Sequence, residues 1–471
     1  MAENVAALIE EVARARAARP ALLWPGGSLS WEELDRRAAR CAGAFASRGV
    51  RPGDRIALAL ANGWEFAVAF LAGLRLGATV APINPRLTEH ELAGITGDLA
   101  PALTVTAVPE GGEERRSRSG ADTPALILYT SGSTGRPKGS VFSHAALLAA
   151  NRSWAGPVMG LTPDDVVLGV LPFAHSFGLN GALLAPLLAG ACVAPLDRFT
   201  PESTLDAIEA AGVTVLPAVA TMFRRILDSP ALAPRRMASL RLALSGAAPC
   251  PWELAREWRE RTGVRLLRGY GMTELFRPIS YLAGDPVERP EAIGRAVPGV
   301  ELRVVEDDGA PVPTGEVGEL LVWSPARLAG YLNALDPPPA GGIDALSDDG
   351  WFATGDLARI GGDGLVSIVG RKKDLILRGG YSISPPEVEA ALATHPAVSE
   401  VAVVGIPHPD LGEEVAAFVV LRAQLSAEAD ELIAHCATRV AAFKCPRRVQ
   451  FVASLPRGET GKVQKWRLPR A

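Results

Sequence analysis

The stretch ALILYTSGSTGRPKG, residues 125–139, decides how the rest of the chain is read. ALILY is a short apolar run of the kind that forms a buried strand. The ten residues that follow it carry three glycines, which let a backbone approach a polyphosphate closely. Successive amides and hydroxyls of Thr130, Ser131, Gly132, Ser133, Thr134 and Gly135 can surround its oxygens, and Lys138 adds a cation. No Gly-Lys-Ser/Thr triplet occurs, so this is not a Walker loop. The bland alternative is a flexible Ser/Gly loop. Ten residues in this order, ahead of the helical pattern AALLAANRSW, argue against it.

Outward from this stretch the chain alternates between two periods. Upstream, LSWEELDRRAARCAGAFASRG is an amphipathic helix closed by Gly49. RIALAL is a buried strand, EFAVAFLAGLRLG a helix and TVAPI another strand. Strands alternating with helices predict a mostly parallel sheet covered on both faces. Residues 108–122 are polar, with no apolar period, and predict a mobile surface loop. The α/β pattern continues downstream to about residue 300. Then VELRVVEDDG, GELLVW and LVSIVG predict an antiparallel β-rich subdomain. The last hundred residues form a separate α+β pattern. Ser384-Pro385-Pro386-Glu387 has the spacing of a capping box, the strands VSEVAVVGI and EVAAFVVL follow, and AEADELIAHCATRVAAF is a helix. The expected class is therefore α/β. A large N-terminal domain, residues 1–371, is followed by a small mobile α+β domain, residues 374–471, with a hinge in GRKKD near Lys373.

Composition narrows the function classes. Apolar residues make up 48% and charged residues 21% of 471, as in a globular protein with sizeable cores. A net charge of −4 leaves no footprint for nucleic acid. Cys41, Cys192, Cys250, Cys436 and Cys445 are odd in number and form no CxxC pair, which disfavours a disulfide framework or a zinc site and suits a reducing cytoplasm. The first twenty residues carry acidic side chains and lack the order of a signal peptide. Residues 181–196 are apolar but broken by Pro186 and Pro195, so they are expected in the core and not in a bilayer.

Seven segments, in order, give the chain a family resemblance: TSGSTGRPKG, SGAAP (245–249), GYGMTE (269–274), GRAVPGVELRVV (294–305), GWFATGD (350–356), GRKKDLILRGGYSISPPEVE (370–389) and PRGETGKVQK (456–465). Together they resemble the adenylate-forming superfamily of acyl-CoA synthetases, peptide-synthetase adenylation domains and luciferases. The resemblance implies that Gly246, Ala247 and Ala248 line an adenine slot, and that Tyr270 stacks on the base within Gly269, Gly271 and Met272. Thr273 approaches the α-phosphate, Glu274 with Thr130 holds Mg²⁺, and Asp356, helped by Arg371, binds the ribose. It also implies that Lys462 swings in with the small domain to bridge the attacking carboxylate and the α-phosphate. Gly379, Gly380 and Tyr381 would line a tunnel for pantetheine. Each residue alone has a plainer reading: Lys462 as a solvated lysine, Asp356 as the cap of a turn in TGDL, Gly379 and Gly380 as a tight turn.

The acid is less legible. In Phe173-Ala174-His175-Ser176, Ala174 stands where amino-acid-activating relatives carry an aspartate, so an α-amino acid is disfavoured. His175 resembles the residue beside the carboxylate in acyl- and aryl-CoA ligases. The pocket is expected from residues 177–185, 245–248 and 269–277, including Phe177, Ser245, Gly246 and Gly269, and its small apolar wall suits an aromatic or medium-chain acid. Arg277 is the exception. It could meet a second acidic group on the substrate, and the sequence favours a surface ion pair instead. The expected activity is ATP-dependent ligation of a small carboxylic acid to CoA. The alternatives are loading of the phosphopantetheine of an acyl carrier protein, an amide- or diazo-forming acceptor, or an interaction protein that has lost catalysis. The oligomeric state stays open.

Overall fold

The computed structural model describes the chain except residues 1–3, 110, 116–118, 132–136, 286–287, 333–345, 348, 379–380, 459–462 and 470–471. For residues 130, 131, 137, 373 and 382 it describes the backbone alone. The chain packs as two compact units: residues 1–290, 294–301 and 323–346, and residues 291–293, 302–322 and 347–471.

The first unit holds two large sheets. One has seven strands in the order Arg265–Leu267, Leu242–Ser245, Val215–Ala218, Val166–Gly169, Cys192–Pro195, Pro20–Trp24, Gly27–Ser30. The first six run parallel and the last turns back antiparallel. Three of these strands, Cys192–Pro195, Val215–Ala218 and Leu242–Ser245, are buried at every residue, as a parallel sheet covered on both faces requires. Phe223 and Trp258 meet edge to face with centroids 4.8 Å apart in the cluster beneath the sheet. The second sheet, of six strands, has the order Gly330–Tyr331, Pro137–Ser143, Pro124–Ser131, Thr79–Pro82, Arg55–Leu58, Leu103–Val105. The apolar run 181–196 lies in the core as expected, forming a π-helical turn, a short helix and the strand Cys192–Pro195. No helix among the described residues is long and apolar enough to cross a membrane.

Helix Trp31–Ser47 has the expected bounds. Ser30 and Glu33 form a capping box, and Gly49 just past its end sits at φ 91°. Residues 111–115 are exposed and irregular, as expected of a surface loop, but their backbone is seated. A side chain at Gly43 would collide with the Glu113 carbonyl, and the Arg115 amide donates to the Ala39 carbonyl at 3.2 Å.

Two local expectations are corrected. Strand Pro137–Ser143 intervenes between the phosphate-type loop and helix His144–Ser153, so the loop joins two antiparallel strands and does not open a helix. Helix Pro385–Ala393 does begin at Ser384, but without the capping box. The Ser384 hydroxyl donates to the Val369 carbonyl, and Glu387 is taken by Lys444 at 2.7 and 2.8 Å. Stronger nearby partners outcompete the local cap.

The second unit contains the β-rich segment and the tail. Phe352–Ile360 pairs antiparallel with Gly318–Trp323 and Val366–Arg371. The tail builds its own five-stranded sheet from Tyr381–Ile383, Ile376–Arg378, Gly412–Leu421, Val398–His408 and Arg448–Phe451, with Pro385–Ala393 and Ala429–Ala437 against it. That last helix is shorter than the pattern 427–443 predicts.

Candidate active site

In the first unit, hairpin register places Lys138 opposite Thr130. Its ammonium lies 5.6 Å from the ring centroid of Tyr331, whose strand pairs with the same hairpin. The Tyr331 hydroxyl donates to Glu274 Oε1 at 3.2 Å. Burial and the Glu274 carboxylate push the phenol well above its usual range, so it stays a donor. The Glu274 carbonyl accepts from the Leu328 amide at 2.8 Å, which fixes the short 3₁₀ turn Thr273–Leu275. Three chain segments thus bring a cation, a phenol and a carboxylate into one row. Sequence reading found its two ends and missed Tyr331, because nothing local marks a tyrosine in a two-residue strand.

The GYGMTE segment is strand Gly269–Met272 and its turn, paired antiparallel with Phe276–Ser280. A side chain at Gly271 would lie 2.0 Å from the Phe276 carbonyl oxygen, so only glycine permits the close return of the chain. Ala247, in the SGAAP loop, holds φ 62° and Phe276 holds φ 55°. Non-glycine residues in that region cost about 1–3 kcal/mol each and collect at functional sites. Ala247 lies in the segment expected to meet the nucleotide, and Phe276 in the stretch expected to line the acid pocket. The Tyr270 hydroxyl lies 3.9 Å from the Met272 sulfur, and both side chains are half-buried.

Arg277 contradicts the expected surface pair. It is 6% exposed. Its Nε donates to Ser280 Oγ at 3.0 Å and its Nη1 to the Ser245 carbonyl at 2.8 Å, while the guanidinium lies 5.2 Å from the Trp154 ring centroid. A side chain at Gly269 would collide with it, and one at Gly246 would collide with Phe177 and crowd the guanidinium at 3.1 Å. Glycines at both positions therefore make room for the guanidinium, an effect no single-residue pattern reveals. Phe177 stacks on Trp154 with centroids 5.3 Å apart and also borders Gly246, so Phe177, Ser245, Gly246, Gly269 and Arg277 do come together.

His175 caps the short helix Ser176–Leu179, its Nδ1 accepting from the Phe177 amide at 3.4 Å. Its loop is held by Asn62, which donates to the Gly169 and Leu171 carbonyls at 2.9 and 2.7 Å and accepts from the Phe173 amide at 2.8 Å. Asn62 lies 111 residues from Phe173 and was invisible as a partner in sequence. Burial lowers the His175 pKa to about 4, so near neutrality the ring is uncharged, with the proton on Nε2. Buried His144, whose Nε2 is 3.0 Å from Ser119 Oγ, is lowered to about 4 by the same cause.

Both folded values lie below the unfolded value of about 6.5. Between them the unfolded chain binds protons that the native chain refuses, so stability is fully present above about pH 6.5 and is lost as pH falls toward 4. His144 accounts for up to about 3 kcal/mol of this. Thermal melting followed between pH 7 and pH 4 should show the loss, and His144→Asn should fall less steeply than the parent.

In the second unit, Asp356 is buried in the middle of strand Phe352–Ile360 and does not cap a turn. It lies directly across from Arg371, whose Nε donates to Asp356 Oδ1 at 2.7 Å. Its amide donates to Thr354 Oγ1 at 3.1 Å. Tyr381 is exposed and stacks on Phe443 with centroids 4.4 Å apart. The backbone at Lys373 is in the 3₁₀ turn Lys372–Asp374, directly after the strand that carries Arg371. Gly132, Ser133, Thr134, Gly135, Gly379, Gly380 and Lys462 lie outside the described residues, as do the side chains of Thr130, Ser131 and Lys373.

The chain has known relatives in both sequence and structure. The chain matches the AMP-binding enzyme family over residues 9–119 and 108–332, and the AMP-binding enzyme C-terminal domain over residues 387–462. It is 35% identical over 470 residues to a feruloyl-CoA synthase of an Amycolatopsis species, covering 93% of each chain. To a sulfoacetate–CoA ligase of Cupriavidus necator it is 33% identical over 504 residues, covering 99% of this chain and 97% of that one. Among solved structures, ATP-bound MatB from Rhodopseudomonas palustris superposes with a TM-score of 0.90 at 34% identity, over 98% of each chain. The anthranilate CoA ligase AuaEII with anthranoyl-AMP superposes with a TM-score of 0.91 at 27% identity, over 99% of this chain and 96% of that one. The chain belongs to the AMP-binding enzyme family, in its acyl-CoA ligase branch.

Proposed function

We propose that the row Lys138, Tyr331 and Glu274 holds the polyphosphate end of ATP, and that this chain uses it in an AMP-forming acid–thiol ligation. A carboxylate oxygen of the acid attacks the α-phosphorus and pyrophosphate leaves, giving acyl-AMP. The CoA thiol then attacks the acyl carbonyl, the thiol proton is lost and AMP leaves. The observation that carries the residue assignment is the Tyr331–Glu274 hydrogen bond beside the Lys138 ammonium. Tyr331 occupies one carboxylate oxygen of Glu274, and no described residue bonds the other. A hard cation such as Mg²⁺ prefers such an oxygen, and Glu274 with Thr130 would hold it, where it would neutralise phosphate charge.

Neutral His175, held by Asn62, sits beside the acid and donates through Nε2 without adding charge. Asp356, positioned by Arg371, takes the ribose hydroxyls. Residues 374–471 act as a mobile lid turning about Lys373, which presents Lys462 for the first half-reaction and Gly379, Gly380 and Tyr381 for the second. The feruloyl, sulfoacetate and anthranilate relatives named above are CoA ligases or synthases, and no observation favours a carrier protein as the acceptor. Their named acids differ widely in size and charge, so this chain's own pocket residues decide its substrate.

The test is product analysis with ATP, Mg²⁺ and a panel of acids, first without CoA and then with it. AMP and pyrophosphate are expected, with pyrophosphate release in both arms and free AMP rising with CoA. ADP and phosphate as products would overturn the reading.

A further inference from the structure

Arg277 is a buried cation with no carboxylate partner among the described residues. The nearest titratable groups do not supply one. Glu288 is engaged by Arg265 and Arg268, each at 3.3 Å. The Cys250 thiol is pushed up to about 11 by burial and stays neutral. Arg277 itself is lowered only to about 10 by burial, so it remains charged. Its Nη2 has no hydrogen-bond partner among the described residues.

That atom is not alone. Arg277, Trp154 and Ser153 line one cavity together with Ala149, Ala150 and Pro278. Trp154 Nε1 and Ser153 Oγ are also buried without a partner among the described residues. No acidic side chain among the described residues lines this cavity. Buried polar atoms without a partner cost about 1–3 kcal/mol each unless an acceptor arrives, and three of them sit on side chains that line one mostly apolar cavity. Nη2 is the guanidinium atom nearest Gly269 and Nη1 the one nearest Gly246, and both glycines are expected in the acid pocket.

We propose that Arg277, with Ser153 and Trp154, receives a second anionic group of the acid, so that the substrate is a dicarboxylate or a sulfo-carboxylate. This rests on the acid–thiol ligase reading above. One carboxylate is activated, and the far carboxylate or sulfonate accepts from Arg277 Nη2. A planar guanidinium already fixed by Ser280, the Ser245 carbonyl and the Trp154 face is preorganised for that role. A monoacid of the same length would leave the donors orphaned, the situation in which a polar site discriminates strongly.

The experiment measures pyrophosphate release without CoA for isosteric pairs: glutarate against pentanoate, adipate against hexanoate, 3-sulfopropanoate against butanoate, and homophthalate against 2-methylphenylacetate. At least one dianion is expected to exceed its partner by about 10²-fold in kcat/KM. Preference for the sulfonate over the dicarboxylates would name the sulfo-acid source, and the reverse the dicarboxylate. In Arg277→Met the dianion-to-monoacid ratio should fall about 10²-fold, and Arg277→Lys should recover part of it. Melting curves separate this from misfolding, and the parent enzyme's own ratio needs no variant. Equal use of both members of every pair, or monoacid preference throughout, overturns the proposal while the ligase reading stands. Pyrophosphate from no acid at all overturns both.

Discussion

Lys462→Ala is expected to slow acyl-AMP formation by about 10²–10³-fold while leaving the melting temperature almost unchanged. Adenylation proceeds without a covalent enzyme intermediate, so its rate comes from positioning and from stabilising charge on a pentacoordinate phosphorus. A lysine amine bridging the attacking carboxylate and the α-phosphate supplies charge where it develops. The segment PRGETGK is polar and glycine-rich, so its lysine supports no core. If the lid alternates as proposed, thioester formation from supplied acyl-AMP should largely survive, because Lys462 is then turned away. Measuring the two half-reactions separately decides the matter. No effect on either would mean a merely solvated lysine, and equal loss in both with normal melting would contradict the alternation.

A comparable loss, again about 10²–10³-fold, is expected for Glu274→Gln. The amide is nearly isosteric, and its oxygen can still accept the Tyr331 hydroxyl, so the row Lys138–Tyr331–Glu274 should keep its shape. Only the negative charge is removed. The loss should therefore appear as a raised Mg²⁺ requirement in pyrophosphate release, with melting close to that of the parent. Tyr331→Phe provides the contrast. It removes the hydrogen bond and leaves the carboxylate, so its effect should be much smaller. A Glu274→Gln enzyme with unaltered Mg²⁺ dependence would remove the metal from this residue.

The sequence by itself determined the α/β layering and the family. Apolar runs such as ALILY and RIALAL can be buried only as strands under helices, and ordered motifs survive as linear text. It also located Lys138, Glu274 and the pair Asp356 and Arg371, because each sits inside its own motif. Tertiary structure alone decided what lies between motifs. Tyr331 reaches Glu274 across 57 residues and Asn62 reaches Phe173 across 111, separations at which no local period carries information. The same holds for Ser384, whose capping pattern was correct as text but whose hydroxyl found the Val369 carbonyl 15 residues upstream. Arg277 is the sharpest case. A lone arginine after a turn belongs at the surface on composition alone, since burying a guanidinium is costly. Only the fold shows Gly246 and Gly269 opening space for it, Trp154 covering its face, and an Nη2 without a hydrogen-bond partner among the described residues.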